Sequence, residues 1–346
     1  MLTSKKFLTT ISTMVGLLLL WSNFCSAQEI VNVYSARKEA LIKPLLEQFS
    51  NATGITVNLV TGKADALLKR IEVEGSASPA DLFITVDAGR LHRAKVAGIL
   101  QSVASPALES AIPKHLRDID GYWYGLSQRA RVIVYVKDKV LPTELSTYED
   151  LSNSRWKSRL CLRSSNNIYN QSLVASMLEV TDEDILEDWV RGLVANVARP
   201  PVGGDTDQLK AAASGLCDLT LVNTYYVGRL IRSEEESLRK MGEKLAVFWP
   251  NQGTGERGAH VNVSGAGVTK HARNKANAIR LIEFLVSDKS QVWYADVNNE
   301  YPVVDGVSIP EVLQDFGPFR SDQIPLSRLG ELNRAAVELM DRGGWR

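Results

Sequence analysis

The stretch EIVNVYSARKEALIKPLLEQFSNATGITVNLVTG, residues 29–62, decides the fold class. Residues 29–36 predict a buried strand, residues 38–54 an amphipathic helix that ends at a glycine, and residues 55–62 a second strand. The alternation continues through helix 64–75, strand 81–87 and helix 88–100. Strands that alternate with helices predict an α/β fold, in which a mostly parallel sheet is flanked by helices. Ligands of such sheets bind at the carboxyl ends of the strands.

Two long extended runs lie further along the chain, at residues 122–138 and 260–270. A second block of predicted elements lies between them: strand 159–165, helices 170–180, 182–198 and 205–215, and a strand that begins at Cys217. Because each run is long enough to pass between two domains, we predict a two-lobed clamshell joined by two hinge strands. The predicted domain one is residues 28–128 with 262–305, and domain two is residues 129–261 with 306–346.

The first 27 residues have the pattern of a cleaved signal peptide. Lysines at positions 5 and 6 precede an apolar run at 7–21, and small residues follow at Cys25 and Ala27. The run is shorter than the roughly 20 apolar residues of a membrane-spanning helix, although an uncleaved anchor is the alternative. We therefore expect cleavage after Ala27, export of the mature chain, and no membrane insertion of what remains.

Composition and missing motifs narrow the function classes. The chain of 346 residues has a hydrophobic fraction of 45% and a formal net charge of zero, so no nucleic-acid partner is expected. It contains no H-E-x-x-H, C-x-x-C, Walker loop or G-x-S-x-G motif. An exported hydrolase or transferase would need a nucleophile with a base, or paired carboxylates, and neither is evident. We therefore expect a protein that is not an enzyme.

Two cysteines, Cys161 and Cys217, remain after signal cleavage. An even number of cysteines in an exported protein favours a disulfide. Both lie in short apolar runs that are predicted as strands, so a bridge would join neighbouring strands. Two buried free thiols are the alternative.

Three tyrosines lie where predicted strands end. Tyr225 and Tyr226 are adjacent in LVNTYYVGRL (221–230), and Tyr169 lies in RSSNNIYNQS at a predicted helix N-terminus. If the two cysteines are bridged, the three phenols could converge in one cleft. Packing against a core, or stacking in a sugar-binding cleft, is the alternative. Three phenolates are hard oxygen ligands that would neutralise a trivalent cation, and the metal would have to displace protons with an ordinary pKa of about 10.

The sequence resembles the periplasmic ferric-iron-binding proteins of bacterial ABC transporters. The matching stretches follow one another along nearly the whole mature chain: NVYSARKEALIKPLL, NLVTGKADALLKRI, ADLFITVDAGRL, GLSQRARVIVY, RSSNNIYNQSLVAS, LVNTYYVGRL, FWPNQGTGERGAHVNVSGAGV and IEFLVS. The resemblance implies a periplasmic binding protein of type II that closes over Fe³⁺, with Tyr169, Tyr225 and Tyr226 as ligands. It also implies a periplasmic location, a monomer, and delivery to an inner-membrane ABC transporter permease. The alternative is the same receptor for another cargo, namely an oxyanion, a sugar or ferrous ion.

The chain departs from that family after its first strand. Many members carry a histidine there, whereas this chain has Arg37-Lys38-Glu39. Glu39 is a candidate iron ligand, and a surface or capping role is the alternative. Asp87 lies where some relatives place a carboxylate near the metal, although it also fits the N-cap of a helix.

Because the usual histidine is missing, the resemblance implies that an anion such as carbonate or bicarbonate fills the remaining iron positions. Arg37 and Arg129 are the expected anion clamp, since bidentate guanidinium suits carbonate. Asn223 is expected to add a hydrogen bond. A salt bridge between the lobes is the alternative role of the two arginines.

Overall fold

The computed structural model describes residues 29–346, so the predicted signal peptide lies outside the described residues. Strands in the described residues are β1 (Ile30–Ser35), β2 (Thr56–Thr61), β3 (Leu82–Val86), β4 (Tyr124–Val136), β5 (Leu160–Cys161), β6 (Leu219–Asn223), β7 (Leu245–Phe248) and β8 (Val261–Val268). The first seven α-helices are α1 (Lys43–Thr53), α2 (Ala64–Glu74), α3 (Ala88–Val96), α4 (Pro106–Ala111), α5 (Ile168–Leu178), α6 (Glu183–Ala195) and α7 (Asp205–Ala213). The others are α8 (Thr224–Ile231), α9 (Glu236–Glu243), α10 (Lys275–Leu285), α11 (Asp288–Asn298), α12 (Glu311–Gln314), α13 (Ser327–Glu331) and α14 (Asn333–Arg342).

The strands form one curled sheet in the order β2-β1-β3-β8-β4-β6-β5, and β7 also pairs with β4. We call the half with β1, β2 and β3 lobe one, and the half with β5, β6 and β7 lobe two. The parallel pairs lie in the outer part of each lobe, at β1 with β2, β1 with β3, and β5 with β6. The crossing strands β4 and β8 run antiparallel to their neighbours. The predicted α/β clamshell is confirmed.

Strand β4 connects the lobes because its partner changes along its length. Up to Ala130 it pairs with β8, and from Arg131 it pairs with β6. A further link lies beside it, where Gln128 and Tyr301 exchange backbone hydrogen bonds. The change of partner lies close to the predicted boundary at residue 129, although the domain limits themselves stay a prediction.

The sequence of residues 325–344 predicts one last helix that ends at a glycine, whereas the structure has two helices there. Helix α13 packs against α3 of lobe one and α5 of lobe two, and α14 packs against α5 and α6. Gly330 allows the close contact with α3, because a Cβ there would lie 2.3 Å from the Cβ of His92. The segment that was assigned to domain two therefore contacts both lobes. In the described residues, no helix combines the length and the apolar character that crossing a membrane requires.

The expected disulfide is confirmed, since Cys161 and Cys217 are joined. Cys161 ends β5, and Cys217 lies just before β6, which pairs with β5 in parallel. Tyr169 follows one of these strands and the tyrosine pair follows the other. The bridge therefore holds together the two chain segments that lead to the three phenols.

Candidate metal site

The two adjacent tyrosines share one cleft because a helix begins directly after the strand. Strand β6 ends at Asn223 and α8 begins at Thr224, so Tyr225 and Tyr226 lie on the first turn of the helix. Consecutive residues of a helix are about 100° apart, whereas those of a strand point to opposite faces. The two rings therefore lie side by side, with centroids 4.3 Å apart.

Tyr169 approaches the pair from α5. The side chain of Asn167 accepts a hydrogen bond from the Tyr169 backbone N–H, and this cap fixes where the helix begins. The hydroxyl of Tyr225 donates to the hydroxyl of Tyr169 over 3.2 Å. The structure thus brings the three predicted phenols together at one point.

The phenols face lobe one across a cleft of about 190 Å³. Residues from both lobes line it: Ala36, Arg37, Lys38, Leu41, Val86, Tyr169, Tyr225, Tyr226, Arg229 and Glu300. Ala36 and Arg37 follow β1, and Val86 ends β3. The site therefore lies at the carboxyl ends of strands, where an α/β sheet normally binds its ligand.

Burial keeps two of the phenols protonated. The pKa of Tyr225 is raised well above its ordinary value by burial, and further by the nearby Tyr169 and Tyr226 hydroxyls. Burial and Tyr169 likewise raise the pKa of Tyr226. A cation that binds these phenols as phenolates must therefore displace their protons.

A buried ionic network supports the backbone that carries the tyrosines. Arg131 donates to Asn170 of α5 over 2.7 Å and to Asn223 of β6 over 3.1 Å, and it lies 3.4 Å from Asp205. Asp205 also pairs with Arg163 over 3.1 Å. The network joins α5, β6 and α7 directly behind the phenols. The sequence analysis did not identify Arg131 or Asp205. The signal for Arg131 was a charged residue within the apolar run of β4.

Arg37 and Arg129 meet a carboxylate that the sequence analysis did not identify. Glu300 lies just after α11 and is buried, with Arg37 Nη1 3.1 Å from its Oε2 and Arg129 Nη2 3.8 Å from its Oε1. Both arginines also donate to Ser264 Oγ. Burial alone would raise the pKa of the Glu300 carboxyl, but Arg37 and then Arg129 outweigh it and hold the pKa below its usual range. Glu300 lies in NNEYP after a helix, and nothing in that sequence indicated that it pairs with buried arginines.

Free donors remain on the expected anion clamp. In the described part of the chain, Arg129 Nε and Nη1 and Arg37 Nε have no hydrogen-bond partner, although they are buried. Arg129 lines a narrow cavity beside Tyr169, together with Asn223 and Asn262. The Asn223 side-chain amide lies 3.5 Å from the Tyr225 hydroxyl. These groups are hydrogen-bond donors on the inner side of the phenols, in a cavity that has no room for an oxyanion with the side chains placed as they are.

The two candidate carboxylate ligands lie elsewhere. Asp87 caps α3 by accepting from the Gly89 backbone N–H, and it also accepts from Ser172 of lobe two and Asn262, each over 2.9 Å. It is buried and does not line the cleft. Asp87 therefore acts as the N-cap of α3, which was the alternative to a ligand role, and it also joins the two lobes.

Glu39 is exposed and pairs with Lys43 over 2.8 Å. It lines a different depression, of about 520 Å³, next to the edge strand β2. That depression is larger than the cleft, but it contains none of the three tyrosines. Neither carboxylate therefore joins the phenols. Residues 29–346 also contain no group of three His, Cys, Asp or Glu side chains that could hold a metal ion.

Comparison with known proteins identifies the family of this chain. The family model of the bacterial extracellular solute-binding proteins matches residues 77–319. Iron uptake protein A1 of Synechocystis sp. is 49% identical over 92% of this chain and 88% of its own length. The major ferric iron-binding protein of Neisseria meningitidis serogroup B is 26% identical over 91% of this chain and 92% of its own.

A solved structure has the same fold along nearly its whole length. The Trichodesmium protein IdiA (FutA), in complex with iron and citrate ligands, matches with a TM-score of 0.89 and 50% identity over 92% of this chain and 100% of that one. The expected resemblance to ferric-iron-binding proteins is confirmed. The chain belongs to the bacterial extracellular solute-binding protein family.

Proposed function

We propose that this chain captures Fe³⁺ in the cleft between its lobes, with the phenolates of Tyr169, Tyr225 and Tyr226 as ligands. The convergence of the three phenols, with the Tyr225 and Tyr169 hydroxyls 3.2 Å apart, is the observation that carries the proposal. Three phenolates neutralise the three charges of ferric ion, so no net charge is left buried. The iron-binding relatives support the same cargo.

An anion such as carbonate or bicarbonate completes the coordination in this proposal. The free N–H groups of Arg129 and the amide of Asn223 are its expected partners. Arg37 contributes less, because Glu300 already occupies two of its nitrogen atoms.

The family supports a transport role. We propose a periplasmic, monomeric receptor without enzymatic activity that delivers iron to an inner-membrane ABC transporter permease, with neither nucleic acid nor the membrane itself as a partner. The cleft is lined by both lobes, so bound iron favours the closed form by contacting both. The permease would then recognise the closed receptor.

Titration of the apo protein with ferric nitrilotriacetate in bicarbonate buffer tests the proposal. A phenolate-to-iron charge-transfer band should appear in visible light and saturate at one iron per chain. Tyr225→Phe should lower the affinity on the order of a hundredfold or more, because even the loss of a residue that only hydrogen-bonds to a metal ligand costs about 10–100-fold. Tyr135→Phe, at the far end of β4, is the matched control and should bind like the wild type.

A protein that stays colourless and takes up no ferric ion would overturn this function. Uptake of ferrous ion, a sugar or phosphate in parallel titrations would then identify the cargo instead. Equal binding by Tyr225→Phe and the wild type would reject the phenolate ligands while leaving the receptor role open to those other cargoes.

A further inference from the structure

Glu300 takes the place on Arg37 that an external anion would otherwise occupy. Arg37 Nη2 donates to Oε1 over 3.2 Å, and Nη1 lies 3.1 Å from Oε2, so the contact is bidentate. The Arg37 side chain is 2% exposed and that of Glu300 is 4% exposed. A bidentate pair of this kind uses one of the guanidinium edges that can bind carbonate, and leaves only the edge with Nε.

Arg129 is placed differently. Its Nη2 donates to Ser264 and remains 3.8 Å from Glu300, while Nε and Nη1 have no partner among residues 29–346. Buried donors without a partner are costly, so a ligand that approaches them gains affinity. Arg129 and Tyr169 line one narrow cavity, which is too tight to admit water in this structure, so an anion reaches these donors only when the side chains around them move apart.

We propose that Glu300 is the residue that determines which anion accompanies the iron. Its carboxylate neutralises one of the two arginines, so that Arg37, Arg129 and Glu300 together carry a single net positive charge beside a neutral complex of ferric ion with three phenolates. Lys38 and Arg229 also line the cleft, and their charges are the same whether or not Glu300 is present. The site then selects a small anion of low charge, such as bicarbonate, over phosphate or a tricarboxylate such as citrate. This inference rests on the proposed function and specifies the anion class for the same site.

The selectivity can be measured on the iron-loaded protein. The wild type is loaded with ferric ion, freed of bicarbonate under nitrogen, and titrated separately with bicarbonate, phosphate and citrate while the charge-transfer band is recorded. In Glu300→Gln the net charge near the anion rises by one, so the affinities for citrate and phosphate should increase about tenfold or more relative to bicarbonate. Glu300→Asp keeps the charge and should keep the wild-type order of affinities.

Asp118→Asn is the matched control. Asp118 is also a buried carboxylate that pairs with a cation, Lys95, but it does not line the cleft. This variant should retain the wild-type order of affinities. A change as large as that of Glu300→Gln would show that any lost buried carboxylate alters anion binding.

A double variant covers the case in which Glu300→Gln does not fold. Arg37→Met with Glu300→Met removes the ion pair as a unit, so that neither partner is left as a lone buried charge. Arg129 keeps its charge, and the wild-type bicarbonate affinity should persist within about threefold. Loss of the bicarbonate response would show that Arg37 itself holds the anion and would overturn the proposal.

The same titrations separate the two proposals. A wild type without a charge-transfer band contradicts the proposed function. A coloured wild type whose Glu300→Gln variant has unchanged anion selectivity contradicts only the role of Glu300.

Discussion

At the scale of single residues, the proposed binding of iron by buried phenols implies that the iron affinity depends on pH. Because the pKa of Tyr225 is raised by burial and by its neighbours, the phenol is protonated in the apo protein at neutral pH. Each phenol that binds iron releases a proton, so the apparent affinity should rise up to about tenfold per pH unit for each proton displaced, and it should fall in acid. Competition with a chelator at pH 6, 7 and 8, corrected for the protonation of the chelator, measures the slope. An affinity that does not vary with pH would contradict phenolate binding.

His260 gives the apo protein a separate pH dependence. Its pKa is lowered well below the ordinary value by burial first and then by Arg257 and Arg131, so the folded protein keeps it neutral. The unfolded chain takes up a proton below about pH 6.5. The resulting stability is present above that pH and is lost as the pH falls, at about 1.4 kcal/mol per unit until the folded-state pKa is reached.

Urea unfolding of the apo protein at pH 7.5, 6.5 and 5.5 checks this sign. His260→Gln should reduce the loss of unfolding free energy between pH 6.5 and 5.5. The matched control is His271→Gln, because His271 is an exposed histidine. A variant that declines as steeply as the wild type would show that other groups cause the loss.

At the scale of elements, the disulfide between β5 and the segment before β6 stabilises the lobe that carries the phenols. The bridge joins residues 56 positions apart. Chain-entropy arguments predict that Cys161→Ala with Cys217→Ala lowers the free energy of unfolding by about 4 kcal/mol. Urea unfolding of the double variant measures the loss, with the reduced wild type as the comparison. An unchanged midpoint would show that packing alone holds the two segments.

The local sequence pattern was sufficient to predict the strand and the helix that carry the phenols. The apolar run before Tyr225 predicted β6, and the position of Tyr169 at a helix start is where the structure has it. The pattern also placed both hinge strands. It could not reveal that Glu300 meets Arg37, because that contact joins residues 263 positions apart and depends on how the lobes fold together.

Two further elements differ from the expectation for physical reasons. The helix predicted from residue 38 begins as α1 only at Lys43, where Pro44 suits the first helical turn. The predicted C-terminal helix is divided between α13 and α14, and α13 contacts both α3 and α5. Periodicity along the chain carries no information about such neighbours.

At the scale of the whole molecule, iron should stabilise both lobes together, since both line the cleft. A ligand that binds only the folded state adds about 4 kcal/mol when its free concentration is a thousandfold above Kd. Thermal unfolding with and without ferric ion should therefore show a clear rise in Tm for the wild type and for Tyr135→Phe. Tyr225→Phe should lose most of that rise. A rise that Tyr225→Phe retains in full would place the stabilising iron outside the cleft.

All three phenols come from lobe two, on α5 and α8, while lobe one supplies the opposite wall. If these phenols are the iron ligands, as we propose, capture and enclosure are separable in time: lobe two can bind the iron first, and lobe one then covers it. The rate of loading should be insensitive to a stiffened hinge, whereas the dwell time of the cargo should depend on it strongly.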